Sequence, residues 1–272
     1  MLPDAFWLPL IVKIVATASV VVAASIVAER AGPFWGALIA CLPVAAGPAY
    51  VLLALQADAG FIRDSALIGV AGNAATGLFI LVLHRLAPRR RLVPSLLGAV
   101  AAWGIAILVV RQWAPWSMPA GVLLNLVVYG GALLMADKAT SATTAAASPR
   151  WFEMPLRAVT VGLLVAGTVT LSRAIGPAAT GLAVAFPISM TSLAIVLHRR
   201  LGGAAVALVM ANSLKAMPGL GLALLILAEA AVPLGVPTAL ALGLLVSIGW
   251  SLGLMALRTG LPQRRAARTR AL

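Results

Sequence analysis

The chain has 272 residues, of which 62% are hydrophobic and only 10% charged. A soluble domain is about half apolar and about a quarter charged, so this composition excludes an ordinary water-soluble fold. The formal charge of +13 would suit a nucleic-acid binder, but the arginines stand in short gaps between apolar runs and at the C-terminus, so no nucleic acid is expected as a partner.

The apolar runs are about 20 residues long and do not alternate, which predicts membrane-spanning helices and not barrel strands. In chain order they fall near residues 6–28, 34–56, 64–86, 92–110, 117–136, 155–173, 177–198, 203–228 and 236–257. The first run follows Asp4 and lacks a basic leader, so it reads as a retained span and not a cleaved signal. Pro, Gly and charge mark nearly every gap, as in Gly32-Pro33, Pro88-Arg89-Arg90-Arg91 and Gly176-Pro177. The longest gap, from Asp137 to Met154, carries the small and polar stretch ATSATTAAASPR. The predicted fold class is therefore an all-α integral membrane protein with about nine spans.

Positive charge assigns the sides. One phase gathers Arg30, Arg85, Arg89 to Arg91, Lys138, Arg150, Arg157, Arg199, Arg200 and the tail residues Arg258, Arg264, Arg265, Arg268 and Arg270. Those are 15 of the 20 Lys and Arg; only Arg63, Arg111 and Arg173 fall on the other side, and Lys13 and Lys215 lie within runs. The expected location is a bacterial inner membrane, with the N-terminus out and the C-terminus cytoplasmic.

The sequence also repeats. Gly32, Pro33, Leu38 and Pro43 recur as Gly176, Pro177, Leu182 and Pro187, and Lys13 recurs as Arg157, always 144 positions on. Val93-Pro94-Ser95 recurs as Val236-Pro237-Thr238, 143 positions on, with Trp103-Gly104 and Gly249-Trp250 following. Residues 1–112 thus form a first four-helix unit, 113–150 a linker helix and loop, and 151–272 a second unit. The odd linker helix inverts the second unit. Inverted repeats are a recurring plan of secondary transporters, with the substrate at the midplane.

The half-motif GLAVAFPISMTSLAIVLHRRLGG, followed by VPTALALGLLVSIGWSLG, resembles the small four-helix GlpM family. The resemblance covers each half and omits the linker helix; Lys13 and Arg157 match the family's early basic residue. That family is linked to alginate production, so the resemblance implies a role in envelope assembly. The chain departs from the family by being duplicated and by carrying Lys215. The four-plus-one-plus-four plan also resembles nine-span bile-acid-type sodium symporters.

Candidate site residues follow from polar groups at membrane depth. Lys215 sits mid-run, where insertion costs roughly 2.5–3.5 kcal/mol, with Asn212 and Ser213 before it and Pro218 after it. It reads either as an anion contact on a broken helix or as structural glue for backbone carbonyls. Pro43, in LPVAAGP, and Pro187, in FPISMTS with Ser189 and Thr191, read as paired helix breaks flanking a site or as simple kinks. Asn73 stands among Gly69, Gly72 and Gly77, and Lys13 and Arg157 either snorkel or face the site. Asn125 reads as interhelical glue. His84 and His198 read as interface residues.

All seven acids fall in gaps or at span ends, so no carboxylate stands at mid-membrane for proton or sodium coupling. No nucleotide, metal or catalytic motif is present. The expected function is transport of a small anionic or zwitterionic solute at the repeat interface, without enzyme activity, cofactor or metal. The alternative is a non-transport component supporting envelope polysaccharide or lipid assembly. The expected partners are the lipid bilayer and a small anionic ligand, with a homodimer left open.

A reporter active only outside the cytoplasm tests the charge assignment. Fused after Leu272 it should give no signal, and an active C-terminal fusion would overturn the N-out, C-in arrangement.

Overall fold

The computed structural model describes residues 46–113, 116–136 and 153–269, with side chains from 158 and up to 257 in the last stretch, and isolated helical positions at 11, 12, 15, 19 and 23. Seven helices are found there: α1 (Ala46–Ala54), α2 (Ala59–Leu86), α3 (Leu92–Gln112), α4 (Met118–Met135), α5 (Glu153–Val184), α6 (Ile188–Ala230) and α7 (Val236–Thr269). There is no strand among the described residues. The chain is all-helical, with five stretches long and apolar enough to cross a membrane. This is a multi-pass membrane protein by length and composition. The expected first span and the first part of the second lie outside the described residues.

Local chemistry sets the boundaries. The Asp58 carboxylate accepts from Phe61 N at 2.8 Å and starts α2; Pro88 follows its end. Ser117 caps α4 through Ala120 N at 3.4 Å, with Pro119 in the first turn, where a missing N–H costs nothing. The described boundaries of α2, α3 and α4 fall within a few residues of the expected spans 64–86, 92–110 and 117–136.

One apolar stretch runs 73 residues from Ala158 to Ala230, far more than a bilayer needs. Gly176 (φ 77°, ψ 173°) and Gly202 (φ 78°, ψ 177°) interrupt it in a region that only glycine enters without strain. Residues 185–187 break it again between α5 and α6. The expected helix at 177–198 is therefore two pieces, 177–184 and 188–201. Residues 203–230 form one long helix.

The core is built around α2. In its most apolar window 83% of residues are buried, against 22% in α3 and 17% in α4. Residues 203–230 lie along α2 from end to end. Gly203 abuts the Ala87 carbonyl, His84 Nδ1 is 2.9 Å from Ala207 O, Asn73 meets Met217, and Gly69 meets Leu224. Numbers rise along one helix as they fall along the other, so the two are antiparallel. Small residues permit this closeness, as membrane helix packing requires. A side chain on Gly203 would overlap the Ala87 carbonyl, and one on Gly181 would overlap Ser65 O.

Two larger apolar clusters fill the spaces on either side of the crossing. One joins Tyr50, Leu53, Ile62, Val161, Val169 and Leu227. The other joins Phe79, Ile80, Leu83, Met190, Met210 and Leu214.

Replacing Gly202 by Ala forces a Cβ into the left-handed backbone and should cost about 1–3 kcal/mol. Gly249→Ala is the control, since its Cβ would meet nothing within 4 Å and helix propensity favours Ala by about 1 kcal/mol. Thermal unfolding in detergent should separate the two variants. Equal melting temperatures would refute the assigned break.

Candidate functional site

A neutral polar network lies at the middle of the α2 crossing. Asn125 Nδ2, on α4, donates to Val70 O at 2.7 Å and Gly121 O at 2.8 Å. That orientation turns its Oδ1 to Asn73, whose Nδ2 donates at 3.0 Å. The same Asn73 nitrogen reaches Met217 O at 3.4 Å, and Tyr129 donates to the Asn73 carbonyl at 2.9 Å. Gly221 makes room for the pair: a Cβ there would stand 2.9 Å from Asn73 Nδ2 and 3.4 Å from Asn125 Oδ1. Asn73 is 1% exposed, yet its Oδ1 has no hydrogen-bond partner. An unmade bond of this kind costs about 1–3 kcal/mol.

The backbone break at 185–187 adjoins this network. Gly72 and Thr76 flank Asn73 on α2, and both touch Ala185. The break releases the Ala185 carbonyl, which accepts from Thr76 Oγ1 at 2.8 Å. Irregular backbone at membrane depth needs such a protein partner. Trp103 of α3 packs edge-on against Phe186 with ring centroids 4.9 Å apart. Its indole Nε1 is buried without a partner, as is Ser189 Oγ two residues beyond Pro187. Three helices thus bring one unpaired acceptor (Asn73 Oδ1), one unpaired donor (Trp103 Nε1) and one unpaired hydroxyl (Ser189) to the neighbourhood of the break. Native proteins leave few such groups, so each needs a physical reason.

No family model, curated protein or solved structure matches this chain. The site therefore rests on its own geometry.

The expected site residues separate into groups. Asn73, Pro187 and Ser189 lie at the crossing or the break, and Pro187 and Asn73 are buried. Thr191 Oγ1 turns back onto Pro187 O at 2.9 Å, and Ser213 Oγ onto Val209 O at 3.0 Å. Ser213 also faces Met190 Sδ at 3.7 Å. Asn212, the residue before Ser213, is half-buried. Lys13 and Pro43 lie outside the described residues. So does the side chain of Arg157.

Lys215 is placed elsewhere. It is exposed, whereas Leu214 and Ala216 on either side are buried. The expectation of a helix broken at Pro218 is corrected, because 203–230 is helical throughout. The neighbouring helix holds this region together. Trp250 Nε1 donates to Lys215 O at 2.9 Å, and a Cβ on Gly219 would stand 2.7 Å from the Trp250 ring. It is the backbone of Lys215 that α7 engages. His84, in the last turn of α2, is buried against Ala207 O.

Sequence reasoning missed Trp103 and Tyr129 as parts of the polar centre. Trp103 had been singled out through its repeated Trp-Gly pair, which was the available signal. Among the described residues no group of three His, Cys, Asp or Glu could hold a metal ion. What the centre offers is hydrogen bonding by neutral amide, hydroxyl and indole groups.

A double-mutant cycle on Asn73→Ala and Asn125→Ala measures the central pair. Hydrogen bonds between membrane helices couple by about 0.6–1.7 kcal/mol, and a value in that range is expected from thermal unfolding. Strict additivity would refute the bond.

Proposed function

We propose that this protein is a transporter-like component of a bacterial inner membrane, with nine spans in two inverted four-helix units joined by α4. The observation that carries this reading is the contact between Asn73 and Met217, residues 144 apart. It lies near the midpoints of two helices, 59–86 and 203–230, whose start and end are each displaced by that same 144. Residues equivalent by repeat meet at a two-fold axis. Equivalent helices that run antiparallel are related by an axis in the membrane plane, the relation of inverted-repeat transporters. The N-out, C-in arrangement and the GlpM-like character of each half belong to the same proposal.

The substrate site is at the break beside this crossing, formed by Asn73, Trp103 and Ser189. Its groups are neutral donors and acceptors, while Lys215 is exposed. Within the expected solute classes, the site thus favours a small zwitterion over a simple anion. A neutral centre selects by paired hydrogen bonds, because a ligand that leaves a buried partner unmet loses binding energy.

The alternative, an envelope-assembly component, draws on the closeness of the helix packing, with glycines against backbone at Gly181 and Gly203.

Thermal-shift titration with small zwitterions and anions separates these readings. Wild type should be stabilised by a zwitterion. Ser189→Ala removes an unpaired hydroxyl, so it should fold as stably as wild type and lose at least about half the shift. Lys215→Met should keep it. Loss of the response in Lys215→Met, with Ser189→Ala unaffected, would overturn the neutral site. No shift with any solute would favour the assembly reading.

A further inference from the structure

A cavity lies away from the polar centre, between α1, the C-terminal part of α6 and the start of α7. Its volume is about 210 Å³. Leu220, Ala223 and Leu227 form its floor, Ala46, Gly47 and Tyr50 one wall, and residues 239–244 the other. The Tyr50 hydroxyl is turned away from this space, donating to Ser65 O at 3.0 Å. The lining is therefore almost wholly apolar, so a polar solute gains little there. Apolar cavities of roughly 150 Å³ stay dry and take up hydrocarbon.

The mouth of the cavity is also apolar. Val51 is 50% exposed and Leu244 48% exposed at its edge, on helices of a membrane-spanning chain. Leu227 and Leu220 lie three and ten residues before the end of α6 at Ala230. At 1.5 Å per residue that is about 5–15 Å below the helix end, the depth of acyl chains and not of headgroups.

The other half of the molecule shows what would close such a space. The residue 144 positions before Ala223 is Phe79, and the residue 144 positions after Ala46 is Met190. Phe79 is fully buried and Met190 8% exposed, and both belong to a filled cluster against which Trp103 packs. One half fills this position with its own large side chains. The other has alanine at both places and a cavity between them.

We propose that this cavity is a binding site for one acyl chain of a membrane lipid, entering from the bilayer between Val51 and Leu244. The bound chain supplies the apolar volume that Phe79 and Met190 supply in the other half. Packing of this kind is what holds membrane helices together, since lipid provides no hydrophobic force between them. The site is separate from Asn73, Trp103 and Ser189, and its occupant differs from the solute proposed for them.

The test uses full-length protein in nanodiscs containing a diazirine-bearing fatty acid, with cross-links mapped by peptide mass spectrometry. Labelling is expected to concentrate on 46–51, 220–227 and 239–244. Ala223→Phe installs the residue of the other half and should reduce that labelling at least about fivefold. Gly47→Leu fills the cavity from the opposite wall, where a Cβ would meet nothing within 4 Å, and should do the same if Ala223→Phe fails to fold. Val127→Phe, on the exposed face of α4, should change nothing. Labelling spread evenly over the lipid-facing helices, or unchanged in both filling variants, would overturn the proposal. So would an unlabelled cavity in a protein that cross-links to a second copy through Val51 and Leu244.

Discussion

In a bilayer two helices gain nothing from hiding apolar surface, because lipid is as apolar as leucine. They must instead fit closely, and every exposed backbone group must find a partner inside the protein. The crossing of α2 on residues 203–230 meets both demands and organises the molecule. Gly69 on α2, with Gly203 and Gly221 on α6, let these two helices approach where side chains would collide, and Gly72 and Gly77 do the same for Ala185 and for Tyr129 of α4. Phe79, Leu83, Val206 and Met210 then seal the space along one part of the contact. α3 and α7 pack against α2 and α6 respectively, with Gly98 against Leu86 in one case and Gly219 against Trp250 in the other.

That close fit also explains why the chain can break where it does. At residues 185–187 the regular helical hydrogen-bond ladder is interrupted inside an apolar environment, which leaves the Ala185 carbonyl to be satisfied from elsewhere. Thr76 meets the released Ala185 carbonyl from α2, and the Ile188 N–H turns to Phe186 O at 2.8 Å. The glycine breaks at 176 and 202 take a positive φ that carries little steric cost without a Cβ. The irregular segment is thus supported by the same helix that carries Asn73.

Helix positions along the chain were legible in the sequence, whereas facing was not. Apolar runs bounded by Pro, Gly and Arg located α2, α3, α4 and the 203–230 helix to within a few residues. Lys215 was located correctly along its helix but not around it. A helix apolar on all sides has almost no hydrophobic asymmetry, so periodicity does not distinguish the lipid face from the protein face. For the same reason nothing in the sequence marked the inward facing of Trp103 and Tyr129. Pro187 was legible as a break because proline acts on backbone, which needs no knowledge of facing. Pro218 shows the limit of that rule, since Trp250 from a distant part of the sequence clamps the helix there.

The polar bonds of the centre are differently distributed. Asn125 and Tyr129 tie α4 to α2 through Val70 O, Asn73 Nδ2 and Asn73 O. Between the two proposed units the bonds are spread along the contact: Asn73 to Met217 O at 3.4 Å, Thr76 to Ala185 O, His84 with Ala207 O, and Arg173 to Gln56 O. Each such bond is worth about 0.6 kcal/mol on average between membrane helices. Packing, and not hydrogen bonding, therefore sets the resistance to any movement of one unit against the other. The linker helix would travel with α2. The acyl-chain cavity touches that balance directly, because its walls come from both units: α1 from the first, and α6 and α7 from the second. A chain bound there would favour the arrangement in which those walls stand together, and its departure would remove packing from one side of the crossing only.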